Sequence, residues 1–572
     1  MKRTIKYMIK YWHFYLIGTL TMVLAIALDM NSPIITGRII DEVIIGGEVS
    51  MFQTLILLLL MISLGRAFFG YFKELTFDIA GANIIKALRK DLFDHIQSLS
   101  QNFFEEKNTG ELMSRLKDDG DKIWHGISFG IMLVVEMLIV LVVACILMLN
   151  ISVKLSLITF IGLPFIGYFA YKLEREIDGV YEKISEKNAE LNTTAQENIA
   201  GVRLVKAFAR EKHEIKKFLS QNKAYYDLNM DYAKSMSRRF PNIQFISDII
   251  PILVVVLGGV FVIDETLTVG TLAKFMGYSY MIVWPMRMIG WISSIMAEAF
   301  SAMKQIDKVF DQQPEITDSP EAISVEHCLG TITFDHVHLS FKDQEVLKDI
   351  NFTVKPGQTL AIMGTTGSGK TSIINLLERF YEPSKGQVKL DGRDIRGLTL
   401  ESLRSKIAVV MQEVFLFSDS ILNNIHFGSK KFLAMDNIMA SASAAEAHDF
   451  INRMEDSYDT VIGERGIGLS GGQKQRISIA RAFSKEAKIL VMDDATSALD
   501  METEHEIQKE VNKLKGVTKI IVAHRISAVK EADEIIILDH GEIVERGTHA
   551  SLLKQKGRYF NTFNEQYEGY MG

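Results

Sequence analysis

Apolar positions along this chain fall into two kinds of pattern. In the first half they form long runs, six of which approach the ~20 apolar residues needed to cross a bilayer. The runs lie at roughly 14–37, 51–72, 127–149, 155–171, 245–263 and 272–297. Apolar helices in the core of a soluble protein are the competing reading, and six such runs in half a chain exceed what a globular core uses. Three of the intervening loops, near "DEVIIGGEVS", "NIS" and "DETLTVG", are short and contain essentially no Lys or Arg. The other two, 73–122 and 172–239, are long, patterned as helices and rich in both. This asymmetry predicts that the long loops face the cytoplasm together with the N-terminal end, which carries Lys2, Arg3, Lys6 and Lys10. Both termini are then cytoplasmic. The first run lacks a small-residue cleavage site and is read as a retained span.

After "DQQPEITDSPEAIS" the pattern changes, at about residue 326, to short strands separated by turns. The predicted organisation is a six-span helical membrane domain over 1–310 with two long cytoplasmic loops, a linker over 311–325, and an α/β domain over 326–572. In the second domain, "TLAIMGTTGSGKTSIINLLERF" places an apolar strand, a glycine loop and a helix in order. Its core, "GTTGSGKT", comprises Gly364, Thr365, Thr366, Gly367, Ser368, Gly369, Lys370 and Thr371 and matches the phosphate-binding P-loop pattern. Glycines let backbone N–H groups converge on phosphate at the positive end of a helix. Lys370 is placed to neutralise the terminal phosphates, and the Thr371 hydroxyl to ligate magnesium (Mg2+). The stretch "KILVMD" reads as a buried strand that delivers Asp493 beside this loop to hold Mg2+ through water. One residue on, Asp494 stands where a base orients or deprotonates the attacking water.

Charge and composition add exclusions. A net charge of -7 over 572 residues gives no reason to expect nucleic acid as a partner. Cys145 and Cys328 are the two cysteines and show no metal-ligand spacing or disulfide framework. Within the spans, Asp29, Arg66, Glu136, Asp248, Lys274 and Arg287 are costly in hydrocarbon unless paired or hydrated. They either line a water-filled pathway or pair between helices. The sixth run, "FMGYSYMIVWPMRMIGWISSIM", suits either repacking around varied apolar ligands or packing against lipid.

With "LSGGQKQRISIARA" from Leu469, the "SALD" ending at Asp500 and the "VAHRIS" around His524, the chain resembles the ATP-binding cassette (ABC) exporters over almost its whole length. Six spans before one cassette resemble the half-transporter arrangement, the type I exporter architecture also called the type IV fold. The resemblance implies ATP and Mg2+ as ligands and a second half-transporter as partner in a lipid bilayer. It implies that Phe341 stacks on adenine, where a Tyr is usual, and that Gln412 links magnesium and attacking water to the membrane domain. It implies that His524 contacts the terminal phosphate, and that Ser470, Gly471, Gly472 and Gln473 reach across to the nucleotide of the other cassette. Asp500 joins the nucleotide-binding set, and Glu464 resembles a contact to the membrane domains. "NTGELMSRLKDDGDKI" and "ENIAGVRLVKAFAREKHEI" resemble the stretches that form coupling helices resting on the cassettes.

The chain departs from the family pattern at Asp494, where Glu is usual. Loss of one methylene withdraws the carboxylate by about 1.5 Å, a misplacement of the kind that can cost a catalytic step roughly 100-fold. The chain's own site is therefore expected to be slow, while its intact signature completes a partner's site. That asymmetry resembles the degenerate-site half of bacterial heterodimeric multidrug exporters, moving amphipathic or lipophilic small molecules across the cytoplasmic membrane by alternating access. A homodimer with Asp as an adequate base is the alternative, supported by the retained His524. A lipid or lipid-precursor flippase and a peptide exporter are further readings. The second of these lacks room for a leader-peptidase domain at the N-terminus.

Overall fold

The computed structural model describes residues 2–341 and 344–567; Met1, and the end of the expected α/β domain at 568–572, lie outside the described residues. Two compact units emerge, one built from residues 1–98 and 106–313 and the other from 99–105 and 314–572. The main division lies between Gln313 and Pro314.

In the first unit the six apolar runs become six long helices: Trp12–Arg38, Phe52–Ser98, Ile131–Ile151, Val153–Ala200, Glu211–Ile263 and Val269–Phe310. Most extend well past the hydropathy limits. A 48-residue helix such as Val153–Ala200 is about 70 Å long, more than twice the ~30 Å hydrocarbon thickness, so the long polar loops are largely continuations of the spans. Among the described residues five helical segments are long and apolar enough to cross a membrane. The sixth, Val269–Phe310, has the length, but Lys274, Arg287 and its Tyr, Ser and Gly residues dilute its apolar character. Only 6% of the apolar window of the segment Val49–Ser98 is buried, and Leu57, Leu60, Leu64 and Phe68 point outward, as hydrocarbon rather than water would favour.

Backbone contacts tie the first and last of these helices. The Asp41 carboxylate accepts from Gly270 N at 2.7 Å and from Thr268 Oγ1 at 2.5 Å, satisfying the start of Val269–Phe310. A Cβ on Gly270 would lie 2.1 Å from the Gly37 carbonyl oxygen, so glycine is required for the helices to approach this closely. The loop stretch Asn108–Ile123 folds within the first unit. It is the preceding segment, 99–105, that belongs to the second unit. There Ser100 Oγ accepts from Ile316 N at 3.0 Å, Asn102 Nδ2 donates to Glu315 at 2.5 Å, and the Tyr381 hydroxyl donates to Glu105.

The second unit contains two sheets. Strands β1 (Ile332–Phe341), β2 (Gln344–Val354), β4 (Lys385–Leu390) and β5 (Arg393–Asp394) form an antiparallel sheet ordered β2-β1-β4-β5. Strands β3 (Thr359–Gly364), β6 (Ile407–Val410), β7 (Ile489–Asp493), β8 (Thr518–Val522), β9 (Glu534–Asp539) and β10 (Glu542–Gly547) form a second, ordered β10-β9-β3-β8-β7-β6. All but β10 are parallel. Its inner strands read as unbroken apolar runs because helices cover both faces. Every residue of β7, including Asp493, is buried. Packing between the two sheets forms one core, with Phe334 stacked on Phe352 and the helix Lys370–Leu377 contributing Ile373 and Leu377.

Candidate functional site

Parallel pairing explains why distant sequence motifs meet. Strands β3, β7, β8 and β6 all end on the same edge, so the residues that follow them converge there, as ligand-binding groups do in open α/β sheets. One cleft is lined by Thr366, Gly367, Gly369, Lys370 and Thr371 from the loop after β3, by Asp493 and Asp494 from β7, by Gln412 after β6 and by His524 after β8. Val346, Ser372 and Val522 complete the wall and were not foreseen.

Lys370 is only 8% exposed, and its Nζ donates to the carbonyl oxygens of Gly364 at 2.9 Å and Thr365 at 2.8 Å. Burial lowers its pKa, opposed by the charges of Asp493 and Asp494. Gly369 adopts φ +102°, and a Cβ there would meet Leu347 at 2.6 Å, so a side chain would distort the turn that opens the helix. Thr371 Oγ1 donates to Asp493 Oδ2 at 3.2 Å. Burial raises the pKa of Asp493, with the Asp494 charge adding to this and the Thr371 hydrogen bond, Lys370 and His524 opposing it. Ser368 Oγ is buried in the loop without a hydrogen-bond partner, and φ +81° at Gly367 leaves open space beside it. A glycine cradle, an orphaned hydroxyl, a buried ammonium group and a Thr–Asp oxygen pair fit a nucleotide phosphate chain with a hard divalent cation such as Mg2+.

Asp494 adopts φ +46°, a left-handed conformation that Asp tolerates better than most non-glycine residues. Its N–H donates to Val522 O at 2.8 Å, which fixes the backbone of the acid against β8. Gln412 and His524 stand exposed at the mouth. Phe341 is not among the residues lining this cleft; it packs edge-on against Tyr381 with ring centroids 4.9 Å apart.

The signature residues stand apart from the cleft. Ser470 caps the helix Gly471–Phe483, its Oγ accepting from Gln473 N at 3.3 Å while Gln473 Oε1 accepts from Ser470 N at 2.9 Å. Ser470 and Gly471 are exposed, with Gly472 and Gln473 half-buried behind them. Asp500 caps the helix Met501–Lys513 by accepting from Thr503 N and Thr503 Oγ1, both at 2.9 Å, and these bonds lower its pKa. Glu464 is exposed in a short 3-10 turn.

Three further side chains link these pieces. Gln475, 4% exposed, donates to Ser497 Oγ at 3.2 Å and accepts from Ala498 N at 3.0 Å, binding the signature helix to the loop after Asp494. Glu504, 3% exposed, accepts from Thr496 Oγ1 at 2.9 Å and from Arg525 at 3.3 Å. Gln566 hydrogen-bonds the backbone on both sides of Arg525. Glu504 shares a helical face with the buried Ile507 and Val511, and a carboxylate at an apolar-face position was the available signal.

In the first unit, five of the six charged span residues pair between helices, among them Arg66 with Asp29 at 2.6 Å and Arg287 with Asp248 at 3.2 Å. Arg287 also donates to Gln244 at 2.9 Å. Glu136 pairs with Lys73 at 2.9 Å, a partner just beyond the expected span. Lys274 is half-buried next to Gly37.

Comparison with known proteins places these features together. Residues 15–286 match the family described as the ABC transporter transmembrane region, and residues 347–497 the family described as ABC transporter. A Bacillus subtilis protein, YgaD, named as a proposed multidrug export ATP-binding/permease protein, is 33% identical over 99% of both chains. An ATP-dependent lipid A-core flippase of Syntrophus aciditrophicus is 33% identical over 97% of this chain and 92% of its own. A solved bacterial Atm1-family ABC exporter with ATP bound superposes with TM-score 0.83 at 27% identity, covering 97% of this chain and 98% of that one.

Proposed function

We propose, from the premise that this chain belongs to the ABC transporter family, that it is one half of a two-chain, ATP-driven exporter of amphipathic or lipophilic compounds. It binds ATP, and its hydrolysis is coupled to transport. Lys370 and the loop backbone over 364–369 bind the phosphates. Thr371, Asp493 and Gln412 hold Mg2+, which when bound neutralises charge on the transferring phosphate. Asp494 orients water and takes its proton at a carboxylate oxygen, and His524 contacts the terminal phosphate. Phe341 supplies an aromatic face to the adenine. The chain lies in the cytoplasmic membrane with both termini in the cytoplasm, a reading supported by the Lys and Arg bias of the long loops.

One observation carries the two-chain reading: the cleft gathers the P-loop, both aspartates and His524, while Ser470, Gly471, Gly472 and Gln473 lie outside it. A signature that serves no nucleotide on its own chain serves one on another. We assign the partner to a different chain bearing Glu at the position of Asp494, because the shorter acid slows this chain's own hydrolysis. Asp500 belongs to the nucleotide-binding set, and Glu464 contacts the membrane domains.

ATPase measurement on the purified protein tests this, with and without a co-purified partner. Asp494→Asn should lower the turnover of the pair by less than about threefold, since removing a poorly placed base subtracts little, whereas neutralising the partner's Glu should cost about 100-fold or more. Robust hydrolysis by the lone chain, lost in Asp494→Asn, would establish a homodimer with Asp as a competent base. The relative named as a lipid A-core flippase supports a second reading, in which the cargo is a lipid or lipid precursor. Proteoliposomes loaded in parallel with a fluorescent lipid and an amphipathic dye separate the two.

A further inference from the structure

We propose that Gln566 is a positioning residue for His524, so that the C-terminal helix Arg558–Tyr567 sets the aim of the group assigned to the terminal phosphate. This rests on the role given to His524 above. The Gln566 side-chain amide spans the turn after β8: its Nε2 donates to His524 O at 2.7 Å and its Oε1 accepts from Ile526 N at 2.9 Å. One planar group thereby fixes the backbone on both sides of Arg525.

The residues flanking the turn, Ala523 and Ile526, pack in one apolar cluster with Tyr559. His524 and Arg525 are exposed, and a cleft lined by Thr365, His524, Leu538, Tyr559 and Thr562 separates the turn from much of the helix. The amide bridge holds the backbone at the exposed His524 and Arg525, which that packing does not cover. On the opposite side the Arg525 guanidinium reaches Glu504 at 3.3 Å and Ser497 O at 3.2 Å, and Ala523 N donates to Ile362 O at 3.3 Å. These are longer than the two bonds made by Gln566.

The helix that carries Gln566 is itself fixed. Tyr559 is 1% exposed, its hydroxyl bonds His549 Nδ1 at 2.6 Å, and its N–H donates to Glu545 at 3.1 Å. Arg558 pairs with Asp539, at the end of β9, at 2.6 Å. A rigid base and a two-point bridge form a device for holding an exposed side chain in place, and displacements of about 1 Å at such a group carry large functional cost.

The test reads discrimination for the terminal phosphate at this chain's own site, which does not require that site to hydrolyse quickly. Full-length protein is photolabelled on this chain with 8-azido-ATP, and ATP and ADP are compared as competitors. In His524→Ala the preference for ATP should fall about tenfold, the loss expected for a hydrogen bond to a charged group. In Gln566→Ala it should fall about threefold, with the hydrogen bond misaligned rather than absent. The double variant should match His524→Ala alone, because a positioning residue has nothing left to position. Gln566→Glu keeps the volume and the Ile526 contact but turns a carboxylate toward the His524 carbonyl; it should show the same dependence on His524 and stands in if the Ala variant fails to fold.

Unchanged preference in both Gln566 variants, or losses that add to those of His524→Ala, would overturn the positioning role while leaving that of His524 intact. Unchanged preference in His524→Ala would remove both.

Discussion

Lys370 and Asp493, on the floor of the cleft, are 8% and 5% exposed and bonded to neighbours in their own unit, whereas Ser470 and Gly471 stand in solvent at a helix start that caps itself. The two regions share one kind of chemistry. Each is a glycine-containing turn that opens a helix and presents backbone N–H groups at its positive end. They differ in what surrounds them. The cleft has a cation, two carboxylates and a hydroxyl converging on one space, a set that fits a nucleotide phosphate chain. The signature turn has a capping box but no converging side chains from its own cleft, which fits it to a ligand delivered on another chain. Gln475 joins the regions by gripping Ser497 and Ala498, so the two half-sites are mechanically continuous within one chain.

The sharpest break in this contrast is Gly472→Asp. A carboxylate would enter where a phosphate must approach, and an added Cβ would already lie 3.2 Å from Ala498 O. Turnover of the assembled transporter should fall about 100-fold or more, the scale at which misplaced catalytic groups fail. Near-normal turnover would mean that this signature does not complete the faster site.

Lys370→Ala attacks the other side. Nucleotide trapped on this chain should fall about tenfold or more with the loss of a charge-assisted contact, while the partner's site keeps its occupancy. Equal trapping by wild type and variant would take Lys370 out of its assigned role.

Gln475→Leu tests whether the regions communicate. Removing two hydrogen bonds from a buried amide site should cost about 1–3 kcal/mol of stability, and turnover should drop severalfold even with Lys370 and Ser470 intact. Thermal unfolding and ATPase rate are read together; lower stability with wild-type turnover would make the link structural alone.

The smallest effect is a pH dependence beneath the cleft. Glu378, directly after the helix Lys370–Leu377, is buried, and burial pushes its carboxyl up from 4.5 to about 7, opposed by Lys485 and Arg404. The unfolded chain loses this proton near pH 4.5 and the folded chain near 7, so this contribution to stability is full below 4.5 and lost as pH rises through 7. Glu378→Gln should therefore gain in Tm relative to wild type at pH 8 and gain less at pH 5. An equal shift at both values would show that the carboxyl is not held protonated by burial.

Much of this architecture follows from sequence pattern, because its causes are local. A run of ~20 apolar residues has few fates other than a membrane helix, and "GTTGSGKT" between a strand and a helix requires the turn that Gly367 and Gly369 form at φ +81° and +102°. Helix ends were less legible. Hydropathy stops at the limit of the apolar run, yet the helix beginning at Phe52 continues to Ser98, since a helix ends on backbone and capping terms rather than on polarity.

What sequence alone determined here is the set of chemical parts: the P-loop, the paired aspartates, the signature and the shortened acid at Asp494. Their arrangement was decided by the tertiary structure. Parallel pairing of β3, β8, β7 and β6 carries Lys370, His524, Asp493 and Gln412 to one edge, although more than 150 residues separate Lys370 from His524 in the chain. The same folding leaves Ser470 outside, buries Glu504 under Thr496 and Arg525, moves the segment 99–105 into the nucleotide unit, and brings Gln566 across to His524. Apart from the place of Glu504 on an apolar helical face, none of these is periodic or adjacent in sequence. Each depends on which strand pairs with which, and strand pairing is a long-range contact that no single stretch of residues encodes.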